Sequence, residues 1–159
     1  MILNRQRSVR VSVRELDKFL DRALLRLHIP RGALTVCLVD NREMARWNLA
    51  YRGKKGATDV LSFPTDGPER NGTSRTAHSQ PKPGPKSALA GGSNSYLGDI
   101  AISPVVARRN ARRFGRTFSE EIRILILHGV LHVMGYDHES DSGQMDRREQ
   151  RLRRECGLT

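Results

Sequence analysis

The stretch "HGVLHVMGYDH", residues 128–138, constrains this chain more than any other. It follows the apolar run "ILIL", and "TFSEEIRILILHGVLHVMGY" (117–136) reads as a helix with Ser119 as its cap and Glu120 and Glu121 at its positive end. On a helix, residues four apart share one face at neighbouring turns, so His128 and His132 project side by side. Gly135 supplies the left-handed conformation that ends a helix. The short "YDH" that follows can then bring His138 back to the same point. Three neutral imidazoles occupy three tetrahedral positions and leave the fourth open for water, the pattern of a catalytic site. His128, His132 and His138 are therefore the expected ligands of one zinc ion; nickel or another divalent transition metal tolerates the same donors.

The spacing matches H-E-x-x-H-x-x-G-x-x-H, the ligand pattern of zinc proteases of the metzincin type. The match fails at Gly129, which stands where those enzymes carry the glutamate that deprotonates water and shuttles the proton. Glycine does neither, and a protease is not expected. Asp137 and Glu139 follow the helix end, on the wrong side to replace that base; they either orient the ligand histidines from behind or are plain surface acids.

Around this site the chain reads as a basic domain of 159 residues, with 28 Lys and Arg against 17 Asp and Glu and a formal net charge of +11. That excess favours a polyanionic partner, nucleic acid before an anionic membrane. Two cysteines are too few for a disulfide framework. Cys37 in "ALTVCLVD" is expected in the core and Cys156 on the surface, which points to a reducing cytoplasm. The N-terminal "MILNRQRSVRVSV" lacks the apolar segment of a secretory signal, and "ILIL" is too short to span a bilayer.

Strands are expected at "VRVSV" near the N-terminus, "GALTVCLVD" (32–40), "TDVLSFP" (58–64) and "YLGDIAIS" (96–103). Helices are expected at "SVRELDKFLDRALLRLHI" capped by Ser12, at "NREMARWNLAYRG" capped by Asn41, and at "PVVARRNARRFG" started by Pro104. The metal-site helix and "SGQMDRREQRLRREC" complete the count. About four strands mixed with about five helices predict an α+β fold of α/β-type layers in a single domain. Residues 66–95, rich in Gly, Pro, Ser and Lys, read as a disordered insertion in which His78 is incidental.

Three segments carry a family resemblance. "HGVLHVMGYDH" matches H-G-x-L-H-x-x-G-Y-D-H at His128, Gly129, Leu131, His132, Gly135, Tyr136, Asp137 and His138. "NLAYRGKKGATDVLSFP" (48–64) is similar to a Y-R-x-x-x-x-x-T-D-V-L-S-F-P segment, and "YLGDIAIS" to an L-G-D-I-x-I strand. In this order the three resemble the YbeY family, metal-dependent bacterial endoribonucleases of ribosome maturation; the insertion at 66–95 is the departure. The resemblance implies a compact domain with a small mixed sheet flanked by helices over residues 1–159. It also implies action on single-stranded small-subunit ribosomal RNA toward its 3′ end, and on defective ribosomes, with the small subunit or its proteins as partners and no DNA or membrane. Arg52 carries the family's functional arginine. Its guanidinium suits a scissile phosphate and the charge that grows on it. Thr58, Asp59 and Ser62 are treated as scaffold.

The resemblance leaves open whether water or the RNA 2′-hydroxyl attacks. It also leaves a second reading, an RNA-binding assembly factor whose metal is mainly structural. Two basic clusters suit phosphate contacts: Arg108, Arg109, Arg112, Arg113 and Arg116 on one helix, and Arg147, Arg148, Arg151, Arg153 and Arg154 on the last, where Glu149 is spaced to pair with Arg153. Aromatic residues, at 5%, are too few for a broad stacking platform.

Overall fold

The structure is a computed structural model that describes residues 1–65, 96–137 and 142–158. Its elements run β1 (Ile2–Asn4), α1 (Val13–Arg26), β2 (Leu34–Leu38), α2 (Asn41–Arg52), β3 (Val60–Pro64), β4 (Gly98–Ile102), α3 (Pro104–Arg113), α4 (Phe118–Val133) and α5 (Gln144–Glu155). The sheet has the order β1-β2-β4-β3. β1, β2 and β4 are parallel, and β3 lies antiparallel to β4 on the edge. This is the α+β layered domain with a small mixed sheet that the sequence predicts.

Alternation along the strands divides the core in two. Leu34, Val36 and Leu38 of β2 join Ile100 and Ile102 of β4 beneath α1 and α4, where Phe19, Leu20, Leu24, Ile122, Ile126 and Leu127 are buried. Cys37 and Val39 turn to the other face with Ala101, Leu61 and Phe63 and pack against Met44 and Trp47 of α2. β2 is buried along its whole length because helices cover both faces. Burial pushes the Cys37 thiol up to about 11, and the nearby Asp99 carboxylate adds to the effect.

Several expectations are corrected in detail. "VRVSV" is not a strand, because the Gln6 side chain takes both backbone groups of Val9, donating from Nε2 to its carbonyl and accepting from its amide at 2.9 Å each. Those groups are then unavailable to a ladder, and the strand is Ile2–Asn4 instead. Asp40, not Asn41, caps α2, accepting from the Glu43 amide at 2.8 Å. Thr117, not Ser119, caps α4 in a reciprocal box with Glu120. Cys156, expected at the surface, is half-buried against the core. The 66–95 segment lies outside the described residues; on either side of it Pro64 pairs with Gly98, and the Thr65 amide donates to the Leu97 carbonyl at 2.8 Å.

The site depends most on how α4 lies against the sheet. A Cβ on Gly129 would stand 2.6 Å from Cγ2 of Ile100, so the helix comes this close only because position 129 has no side chain. The Ser62 hydroxyl fixes the approach by donating to the Gly129 carbonyl at 3.2 Å. Ile100 is wholly buried and its branched methyl has no room to withdraw. Gly129→Ala is therefore expected to lower stability by about 1–3 kcal/mol through overpacking, read as a lower urea midpoint; an unchanged midpoint would show that the helix can lift without cost.

Candidate metal centre

His128 and His132 occupy the last two turns of α4, with their Nε2 atoms 3.1 Å apart and ring centroids 4.6 Å apart. Two nitrogens each bound at about 2.0–2.1 Å in a tetrahedral site stand roughly 3.3 Å apart, so the pair is spaced to share one zinc ion. A Schellman motif ends the helix: the Gly135 amide donates to the His132 carbonyl at 3.0 Å and the Tyr136 amide to Leu131 at 3.1 Å. Gly135, at φ 97°, takes the left-handed turn that the sequence assigns to it. The reversal brings Tyr136 and Asp137 to the site. His138 and Glu139 lie outside the described residues.

The ring of His128 is held from behind. Its Nδ1 donates to Oε2 of Glu149 on α5 at 2.8 Å, which puts the ring's lone pair on Nε2, the atom beside His132. Arg153 bonds the other oxygen, Oε1, of the same carboxylate. Burial raises the Glu149 pKa, but the bonds and charges of His128 and Arg153 outweigh it and hold the group below the usual range. The site therefore has a fixed anion behind one histidine. Sequence spacing pairs Glu149 with Arg153 alone and does not reveal the histidine. A signal was present: Met145, Glu149 and Leu152 share the buried stripe of α5, and an acid at a core-facing position requires a partner.

A cavity of about 480 Å³ opens beside the pair, lined by His128, His132, Tyr136 and Asp137 on one side and by Tyr51 and Arg52 on another, with β3 as its floor. Aromatic packing positions the second bank. Phe63 of β3 takes the Trp47 ring edge-on at 5.9 Å and the Tyr51 ring at 5.0 Å, which ties α2 to the strand. α2 ends at Gly53, at φ 68°, so Arg52 stands in its last turn at the cavity rim. The structure thus brings Arg52, His128 and His132 to one cleft.

Asp59, Thr58 and Ser62 are hydrogen-bonded within the fold, and Asp59 and Ser62 also line the cavity. Asp59 accepts from the Val60 amide at 2.8 Å, the Thr58 hydroxyl at 3.2 Å and the Asn110 amide at 3.0 Å. Ser62 is bonded to Gly129. Position 129 itself faces Ile100 and the sheet, so even a glutamate there would point into the core and away from the cleft.

A mixed sheet covered on both faces, with a carboxylate-braced histidine pair facing an arginine across a polar cleft, defines a small α+β protein with a candidate metal centre. The chain belongs to the YbeY family, whose model, described as endoribonuclease YbeY, matches residues 1–157. It is 41% identical over 121 residues to the endoribonuclease YbeY of Solibacter usitatus, covering 76% of this chain but 64% of that protein, just under two thirds of its length. The Koribacter versatilis endoribonuclease YbeY is 37% identical over 153 residues, 96% of this chain and 83% of that protein. A solution structure from Thermotoga maritima shares the fold with a TM-score of 0.55 at 24% identity, covering 98% of this chain and 89% of its own.

Glu149→Ala removes the brace and leaves both histidines in place. Zinc affinity, measured by competition with a chromophoric chelator, is expected to fall about 10–100-fold; an unchanged affinity would mean that the His128 ring needs no support.

Proposed function

We propose that this chain is a metal-dependent endoribonuclease that cuts single-stranded RNA, acting in the cytoplasm on the 3′ end of small-subunit ribosomal RNA and in ribosome quality control. The observation that carries the reading is the shared cleft, in which a histidine pair spaced for one ion faces Arg52 across about 480 Å³. Family membership supplies the chemical class. The net charge of +11 supports a polyanionic substrate. No helix among the described residues is long and apolar enough to cross a membrane.

In this reading Nε2 of His128 and of His132 hold the ion with His138 as third ligand, zinc being the donor set's best match. When bound, the ion supplies Lewis-acid polarisation of a phosphoryl oxygen and acidifies water. The remaining work falls to the chain. Glu149 keeps His128 in one tautomer and one orientation. Arg52 grips the scissile phosphate through two N–H groups and stabilises the charge that builds on its oxygens. Asp59, already accepting three hydrogen bonds, serves as a wall and is not the base. The attacking oxygen is water or the RNA's own 2′-hydroxyl, and a 2′,3′-cyclic phosphate on the product identifies the second.

The test is cleavage of a labelled single-stranded RNA carrying the small-subunit 3′ end by zinc-loaded protein. Chelation and His128→Ala are expected to abolish cutting, and Arg52→Ala to slow it by about 10²–10³. Cutting that survives all three would point to a contaminant and sink the proposal. If the wild type binds the RNA without cutting it, the assembly-factor reading takes its place.

A further inference from the structure

One side of α3 reaches the cleft and continues past it. Asn110 donates from Nδ2 to Asp59 Oδ2 at 3.0 Å, and Asp59 lines the cavity. Arg113 and Phe114 follow Asn110 at i+3 and i+4, so they share its side of the helix one turn, about 5.4 Å, farther on. Phe114 is 52% exposed, and the guanidinium carbons of Arg113 and Arg116 lie 5.6 and 5.2 Å from its ring centroid. Arg108, Arg109 and Arg112 are exposed on the same helix. Residues 104–119 include no Asp or Glu, and of these arginines Arg116 is committed to Glu121 at 2.8 Å.

The chemistry of this patch selects its partner. Phe114 is the sole large exposed apolar side chain on the described α3 and its following turn, which is too little apolar surface for a protein interface core. Clustered guanidiniums with no acid among them suit phosphates. An exposed ring flanked by arginines suits an unstacked base, which lies flat on either kind of plane. A duplex keeps its bases stacked on each other and has none to offer.

We propose that the C-terminal turn of α3 is a docking surface for the single-stranded RNA that leads out of the cleft, with one base on Phe114 and phosphates on Arg109 and Arg113. The inference rests on the endoribonuclease reading of the cleft and adds a second place of contact, outside the metal centre, for the same strand.

Fluorescence anisotropy with a labelled single-stranded RNA tests it, using the zinc-loaded chain and variants at exposed positions that the fold does not need. Phe114→Ala is expected to weaken binding about tenfold, and Phe114→Trp to retain it. Arg109→Ala with Arg113→Ala is expected to reduce the slope of log affinity against log salt by about 1.4. An RNA duplex is expected to bind Phe114→Ala as well as it binds wild type. If affinity and salt slope are unchanged in these variants while the wild type still binds and cuts, the docking surface is overturned and the nuclease reading stands. A wild-type chain that neither binds nor cuts RNA overturns both.

Discussion

The close approach of α4 to β4 at Gly129 is the contact on which the rest of the site depends. A helix packed on a sheet is normally held off by its side chains; here one residue without a side chain lets the backbone settle against Ile100, and Ser62 bonds the glycine carbonyl. That contact sets the height and rotation of the last two helical turns over the edge strand. His128 and His132 flank it, so a packing requirement in the core fixes the direction of the imidazoles. The glycine that rules out a protease-type base is the residue that seats the helix.

Two further packings complete the cleft from opposite sides. α5 brings a buried carboxylate to His128, and the cost of burying that charge is offset by the imidazole and by Arg153 on its other oxygen. α2 is drawn to β3 by the Trp47, Phe63 and Tyr51 rings, which places Arg52 on the far rim. Both convert ordinary core energy into the position of a functional group, which is how a small domain keeps a polar site rigid.

Much of this was legible in advance where the signal is local. The histidine spacing, the glycine that ends α4, the buried strand at Leu34–Leu38 and the proline that opens α3 each follow from residue type at a fixed offset. The N-terminal strand and the two helix caps differ from expectation for one reason, competition among nearby groups for the same hydrogen bonds. "VRVSV" has strand alternation, but Gln6 took the backbone of Val9 first. Asn41 and Ser119 are sound capping residues, but Asp40 and Thr117 stand where the amides become available. The role of Glu149 is not legible in the sequence for a different reason, since its partner is twenty-one positions away on another helix.

The sequence by itself determined the chemistry on offer: two imidazoles on one helical face, a third three residues past the helix-ending glycine, an arginine before a capping glycine, and a strongly basic surface. These depend on short-range periodicity and on charge, which need no knowledge of what packs where. Only the tertiary structure decided that Arg52 shares a cleft with His128 and His132, that Glu149 stands behind His128, and that Asn110 ties α3 to the cleft wall. Those juxtapositions depend on which face of each helix meets the sheet, and that is settled by long-range packing of apolar side chains spread over the whole chain.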